Sequence, residues 1–426
     1  MKFAPIAYKL SNGIPVILDP MDIATTGMTV SFGVGARDEA PHEYGITHFL
    51  EHMLCKGTQR FPSPRLLKDN VFVNGGESNA STSTDEMQFY GRMLAEKFHV
   101  LAESISDRLQ NSLFDEKVLE NERGVILDEL GRSRNSMDNQ FYRHTVENVL
   151  VNTGFAHPTL GTPENIKSFS RTQVIDYMRR NISAKNAIIG ISGKIDNPDA
   201  LISSLEKLYG WIPSIDVAAP VPITVTPTVA HKSSPGKENI KLGIGFQDVW
   251  PWGLKNRYAN KCVSIFENTF SGRLYENIRN QAGLVYGIGM SSFGDEFVTV
   301  NTIDTECARD KIESVVAKIA KTVNEVMITK PVNDAELARA RMVKKYNAAN
   351  FIEDSAARKR MLINFYRQFG LVYDFAKDQK LLDKVSLSDV IKNSRDYFSK
   401  PISMITMGAE LNADLKSVWM DNFKGR

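Results

Sequence analysis

Two periods of apolar residues run through this chain, and they mark out its elements. Tyr8-Lys9-Leu10-Ser11-Asn12-Gly13-Ile14-Pro15-Val16-Ile17-Leu18 sets an Asn-Gly pair between apolar runs, which predicts a β-hairpin. Met28 to Gly35 alternates and is rich in β-branched residues, so a strand is expected there, followed by a polar loop through Pro41. From Ile46 the spacing changes. Ile46, Phe49, Leu50, Met53 and Leu54 fall at i, i+3, i+4, i+7 and i+8, the apolar stripe of a helix that Gly57 stops. Asp115 to Leu130 reads as another helix, with Val118, Leu119, Val125, Ile126 and Leu130 as its apolar positions.

Between Ser214 and Gly236 the helical period is lost and Pro220, Pro222, Pro227 and Pro235 accumulate, the composition of an extended linker. Beyond it the order of elements recurs: Ile240 to Phe246 resembles the earlier strand, and Tyr258 to Phe270 the earlier helix. This predicts a degenerate internal duplication, with domains at 1–214 and 237–426 joined by a linker at 215–236. Laying Glu51 on Glu267 puts His48 on Ser264 and His52 on Asn268, so only the first half keeps a histidine pair. Asp310 to Met327 and Asp334 to Phe369 carry long amphipathic patterns, expected to be helices that cover a sheet.

Composition narrows the classes. At 426 residues the chain is too long for one ordinary core, and 42% hydrophobic with 24% charged residues describes a globular protein. A formal net charge of +2 is too near zero to argue for nucleic acid or an anionic membrane as the main partner, neither of which is expected, and no apolar run is long enough to span a bilayer. Cys55, Cys262 and Cys307 are odd in number and far apart, which fits reduced thiols. No secretory or transit segment is evident at the N-terminus. The expected compartment is therefore a bacterial cytoplasm, with a mitochondrial matrix as the alternative for a mature form.

The chemistry concentrates in His48-Phe49-Leu50-Glu51-His52, an HxxEH sequence on the first predicted helix. Spacing of i, i+4 sets two imidazoles on one face a turn apart, where both can meet one tetrahedral zinc, and Glu51 shares that face. A catalytic zinc takes three protein ligands and keeps an open position. Glu122 and Glu129, seven apart on the other helix, share one face over two turns, and spacing does not choose between them.

The run His48-Phe49-Leu50-Glu51-His52-Met53-Leu54, followed by Lys56-Gly57-Thr58, resembles the inverted-zincin peptidases of the pitrilysin and insulysin class. Within that class it is similar to the short two-domain branch that includes the mitochondrial processing peptidase. The resemblance implies that the third ligand is Glu129, 77 positions beyond His52, with Glu122 as the supporting carboxylate. It implies that Arg279 and Tyr286, flanking Gly283-Leu284-Val285, bind the substrate backbone and steady the transition-state oxygen. Asn79 and Ala80, in Asn79-Ala80-Ser81-Thr82, resemble the edge strand that pairs with an extended substrate by β-addition. Cys55 stands where relatives carry a bulky apolar residue, and is read as a small buried hydrophobe rather than a fourth ligand.

The resemblance implies an α+β fold of two related domains, each a mainly antiparallel sheet with helices on one face, together half of a clam-shell. The expected activity is a zinc-dependent endopeptidase with one Zn2+ per chain and Glu51 as general base, cleaving oligopeptides or unfolded, presequence-like segments. A homodimer is expected, in which Arg279 and Tyr286 of one subunit face the zinc of the other. The alternatives are a non-catalytic peptide-binding or assembly subunit of the same fold, and a processing peptidase that needs a different partner subunit.

Overall fold

The computed structural model describes residues 3–151, 154–219, 221, 224–248, 257–294 and 299–424. The chain gathers into two compact units that interleave in sequence. The first takes Met1–Ser136, His157–Val221 and Ala349–Phe375; the second takes Met137–Ala156, Pro222–Ala348 and Ala376–Arg426.

The first unit is built on β1 (Ile6–Lys9), β2 (Pro15–Pro20), β3 (Thr25–Phe32), β4 (Gly76–Thr82), β5 (Met87–Leu94) and β6 (Ala187–Gly193), in spatial order β1-β2-β6-β3-β5-β4. All pairings are antiparallel except β2 with β6. The expected hairpin turns at Asn12-Gly13. β3 lies three residues earlier than its apolar alternation implies. The amides of Ala36 and Arg37, just beyond, bond to Ser83 and Thr84 of the β4–β5 turn instead.

Alternation along these strands sorts side chains between two faces. Val16, Leu18, Met28, Val30, Phe32, Ile189 and Ile191 form one core with the apolar sides of α1 (Ile46–Leu54), α2 (Pro64–Phe72), α3 (Phe98–Asn111) and α4 (Glu116–Asn135). Ile17 and Ile188 point to the other face, where Leu362, Ile363 and Phe365 of helix Ser355–Phe369 cover them. Gly190 permits this close approach, since a Cβ there would lie 2.8 Å from Ile363. The same helix buries Arg358 against Asp19 at 2.5 Å, with neither side chain exposed. The stretch from Asp334 to Phe369 is thus two helices, parted at Asp354, whose carboxylate caps the second by accepting from Ala356 and Ala357.

The second unit is built on β7 (Val229–Ser233), β8 (Asn239–Asp248), β9 (Ile288–Gly294), β10 (Thr299–Ala308) and β11 (Ile402–Gly408), in order β9-β10-β8-β11-β7. Only β11 with β7 is parallel. Strand for strand this repeats β4-β5-β3-β6-β2, including the position of the single parallel pair, as a duplication requires. Helix Arg257–Leu274 follows β8 as α1 follows β3. Helix Met137–Val149 packs Val146 and Val149 against Val300 and Ile405 on the sheet face turned away from the main core.

Each sheet therefore carries one helix on its second face besides those on the first, and each of these helices lies in sequence within the other half. The boundary at 215–236 does not coincide with the units for that reason. Nor is that stretch all connection: Thr224–Val225 pairs with Leu150–Val151, and Val229–Ser233 joins the edge of the second sheet, parallel to β11. Pro220 and Pro222 lie outside the described residues.

Candidate metal centre

α1 carries His48, Glu51 and His52 on the side opposite its buried stripe of Ile46, Phe49, Leu50, Met53 and Leu54. α4, N-capped by Asp115, packs against it and buries Leu119, Ile126 and Leu130, which directs Glu122 and Glu129 toward the histidines. His48 Nε2 lies 3.8 Å and His52 Nε2 3.7 Å from Glu129 Oε2. The donor atoms of His48, His52 and Glu129 all fall within 4.8 Å of one another, and they are the one such grouping among the described residues.

Glu122 is not in that set. Its Oε2 sits 2.9 Å from His52 Nδ1, and its Oε1 2.8 Å from Lys56 Nζ. Burial alone would raise this carboxyl, but the hydrogen bonds of His52 and Lys56 and the lysine's charge outweigh it and hold Glu122 below the ordinary carboxylate range. An ionised Glu122 can only accept at this contact, so the Nδ1 of His52 carries a proton and Nε2 is the atom that faces Glu129. Burial and the neighbouring His52 push the pKa of His48 down to about 3 and keep its imidazole neutral.

Two imidazoles and one carboxylate form a donor set suited to a catalytic zinc. Tetrahedral ligation at about 2.1 Å needs donors roughly 3.4 Å apart, so a modest inward movement would complete it. The residues fit the metal.

Glu51 projects beside this set. Its Oε2 accepts a 2.7 Å hydrogen bond from Thr82 Oγ1, at the end of β4. Burial raises its pKa, Thr82 and His52 oppose the shift, and Glu129 adds to it. β4 is the terminal strand of the sheet, and among the described residues its outer edge has no strand partner. Asn79 is exposed there, and its Oδ1 accepts from the Ala80 amide at 2.9 Å.

Cys55 caps the end of α1, outside the donor set. Its thiol is raised by burial, an effect that nearby Arg108 opposes, and Arg108 lies 3.9 Å away. Arg279 and Tyr286 belong to the second unit and meet each other: the guanidinium lies 4.9 Å from the Tyr286 ring and 4.8 Å from Tyr275, on a π-helical turn over Tyr275–Asn280. Tyr286 is 87% exposed. Ser264, Glu267 and Asn268 lie in helix Arg257–Leu274.

Sequence reasoning gave no role to Lys56 or Thr82. Lys56 stands four after His52, a spacing that could have signalled it. Thr82 is 31 residues from Glu51, and only the sheet brings them together.

Residues 18–163 match the family model described as Insulinase (Peptidase family M16), and residues 168–344 match the Peptidase M16 inactive domain. A Rickettsia felis protein described as an uncharacterized zinc protease is 26% identical over 94% of this chain and 96% of its own length. The mitochondrial-processing peptidase subunit beta of Saccharomyces cerevisiae is 23% identical over 94% and 90%. The crystal structure of a protease from Helicobacter pylori superposes with a TM-score of 0.84 at 18% identity, covering 95% of this chain and all of that one, which is a likeness of fold.

Proposed function

The chain belongs to peptidase family M16, and from that membership we propose that it is a zinc-dependent endopeptidase acting on oligopeptides or unfolded, presequence-like segments. The observation that carries this reading is the convergence of His48, His52 and Glu129 within 4.8 Å, beside a Glu51 held by Thr82. Zinc bound there supplies Lewis-acid polarisation of the scissile carbonyl and of the attacking water.

The chain's own residues do the rest. Glu51 takes the proton of the attacking water and delivers it to the leaving amine, from the position in which the Thr82 hydroxyl holds it. Glu122, anchored by Lys56, fixes the tautomer of His52. The free edge of β4 at Asn79 and Ala80 pairs with an extended peptide, which must displace the Asn79 side chain from the Ala80 amide.

Arg279 and Tyr286 serve the substrate backbone, and the working form is a homodimer in which this pair serves the partner's site. Mixing a Glu51→Gln variant with a Tyr286→Phe variant is expected to restore activity; an active monomer in sedimentation would contradict the shared site. The described cysteines are all unpaired, which fits a reducing, cytoplasm-like compartment. No helix among the described residues is long and apolar enough to cross a membrane.

Metal analysis tests the ligand set. About one zinc per chain is expected in the wild type, and loss of it in His48→Ala and in His52→Ala. Full zinc content in both variants would contradict the assignment.

A further inference from the structure

An α-helix leaves its first amides without intrahelical partners and gathers positive potential at that end. At α1 the N-cap is Gly45, at φ 98, which offers no side chain to meet them. A Cβ at this position would lie 2.8 Å from the Cα of Gly161, so no Ser or Asp fits. The acceptors come from outside the helix. Glu39, with no exposed side-chain surface, accepts the Gly45 amide on Oε2 at 2.7 Å and the Thr47 amide on Oε1 at 2.8 Å. Thr47 is the residue before His48.

Glu39 is itself fixed from several sides. The amides of Ala36 and Arg37, just before it, bond to the carbonyls of Ser83 and Thr84 at 3.1 and 2.8 Å. Those residues directly follow Thr82, the hydroxyl partner of Glu51, and begin the turn that leaves the strand bearing Asn79 and Ala80. His157 Nδ1 lies 3.8 Å from Glu39 Oε2, its ring stacked on Tyr44. Tyr177 meets the Thr47 hydroxyl at 2.6 Å. The end of β4 thus reaches α1 twice, through Thr82 to Glu51 and through the 36–39 segment to the helix start.

We infer that Glu39 is a positioning residue, which fixes the rotation and depth of α1 against the β4 edge so that His48 and His52 converge with Glu129. This rests on the reading that those three residues hold the metal. A two-pronged acceptor locks a helix end more tightly than a single capping atom, because both oxygens must be satisfied at once. Ligand convergence over a few tenths of an ångström is sensitive to such a lock.

Glu39→Gln keeps the shape but turns one acceptor oxygen into an amide nitrogen that cannot accept from a backbone N–H. Zinc affinity, measured by chelator competition on the full chain, is expected to fall roughly 10- to 100-fold, as when a group supporting a ligand is lost. Ile188→Ala, which opens a cavity on the opposite sheet face, serves as the control: it should lower the melting temperature and leave zinc affinity unchanged. A folded Glu39→Gln protein with wild-type zinc affinity would overturn the inference. So would one that does not fold, since Glu39 would then serve the whole scaffold rather than the alignment of α1. Failure of the wild type to bind zinc would overturn the metal reading itself, an outcome distinct from any difference between variants.

Discussion

His52 meets Glu122 through Nδ1 at 2.9 Å and faces Glu129 through Nε2 at 3.7 Å, so one imidazole joins the two carboxylates of α4. Removing the charge of Glu122 loosens the ring and its tautomer together. Glu122→Gln is therefore expected to weaken zinc binding about 10- to 100-fold while the protein stays folded. Lys56→Met, which removes the ion pair at 2.8 Å, should weaken it by less. Chelator competition checks both, and unchanged affinity in Glu122→Gln would contradict the role.

The Thr82 hydroxyl holds a carboxylate whose orientation decides whether it can reach a water proton. Thr82→Val is expected to lower kcat about tenfold, the effect of losing roughly 1.4 kcal/mol of transition-state stabilisation. KM and zinc content should stay near wild type, and Thr82→Ser should retain most of the rate. Steady-state kinetics with a quenched fluorescent peptide reads the difference, and a Thr82→Val enzyme as fast as wild type would rule the contact out as functional.

Much of this site is visible along the chain because its parts are local. The i, i+4 pair His48 and His52, the i+3 position of Glu51 and the seven-residue spacing of Glu122 and Glu129 are fixed by helical geometry. The choice of Glu129 over Glu122 is not, since both lie on one face of α4 and only the packing of α1 on α4 assigns one to the donor set and the other to His52 Nδ1. The duplication is legible in the strand and helix that begin each half. The exchange of helices Met137–Val149 and Ser355–Phe369 between the units is not, because an amphipathic pattern tells a helix to bury a face without naming the sheet that receives it. Glu39 is hidden for a related reason: a loop carboxylate carries no period, and its role depends on a helix start that the turn at Gly45 brings to it.

Asp19 and Arg358 are fully buried and lie 339 residues apart, joined at 2.5 Å. Asp19→Asn leaves a buried guanidinium without its counter-charge and should cost about 3–5 kcal/mol of stability. The double variant Asp19→Leu, Arg358→Met is expected to recover most of that loss, because neither charge then needs a partner. Denaturant unfolding of the three proteins provides the comparison, and a single variant as stable as wild type would contradict a structural role for the pair.

Lys359 is buried beside them, its amine donating to the Met28 carbonyl, and burial pushes its pKa down to about 8 from 10.5, with Arg92 adding to the effect. Above pH 10.5 both folded and unfolded states hold it neutral and no cost arises. As pH falls from 10.5 to 8 the unfolded chain takes up a proton that the folded one does not, and stability declines by about 1.4 kcal/mol per pH unit. Below pH 8 the cost is constant. Any stability advantage of Lys359→Met over wild type should therefore be largest near pH 7 and shrink between about pH 8 and 10.5. A difference independent of pH across that range would show that the amine is not held in this way.

Whether Glu51 acts as a base at a metal held by its neighbours is decided by the Glu51→Gln protein. Zinc content per chain and cleavage of a quenched fluorescent peptide library are measured together, with and without chelation. About one zinc per chain is expected in both proteins, with chelator-sensitive cleavage in the wild type and loss of most turnover in Glu51→Gln. Preserved cleavage in Glu51→Gln, or zinc bound by a wild type that cleaves nothing, would contradict that role.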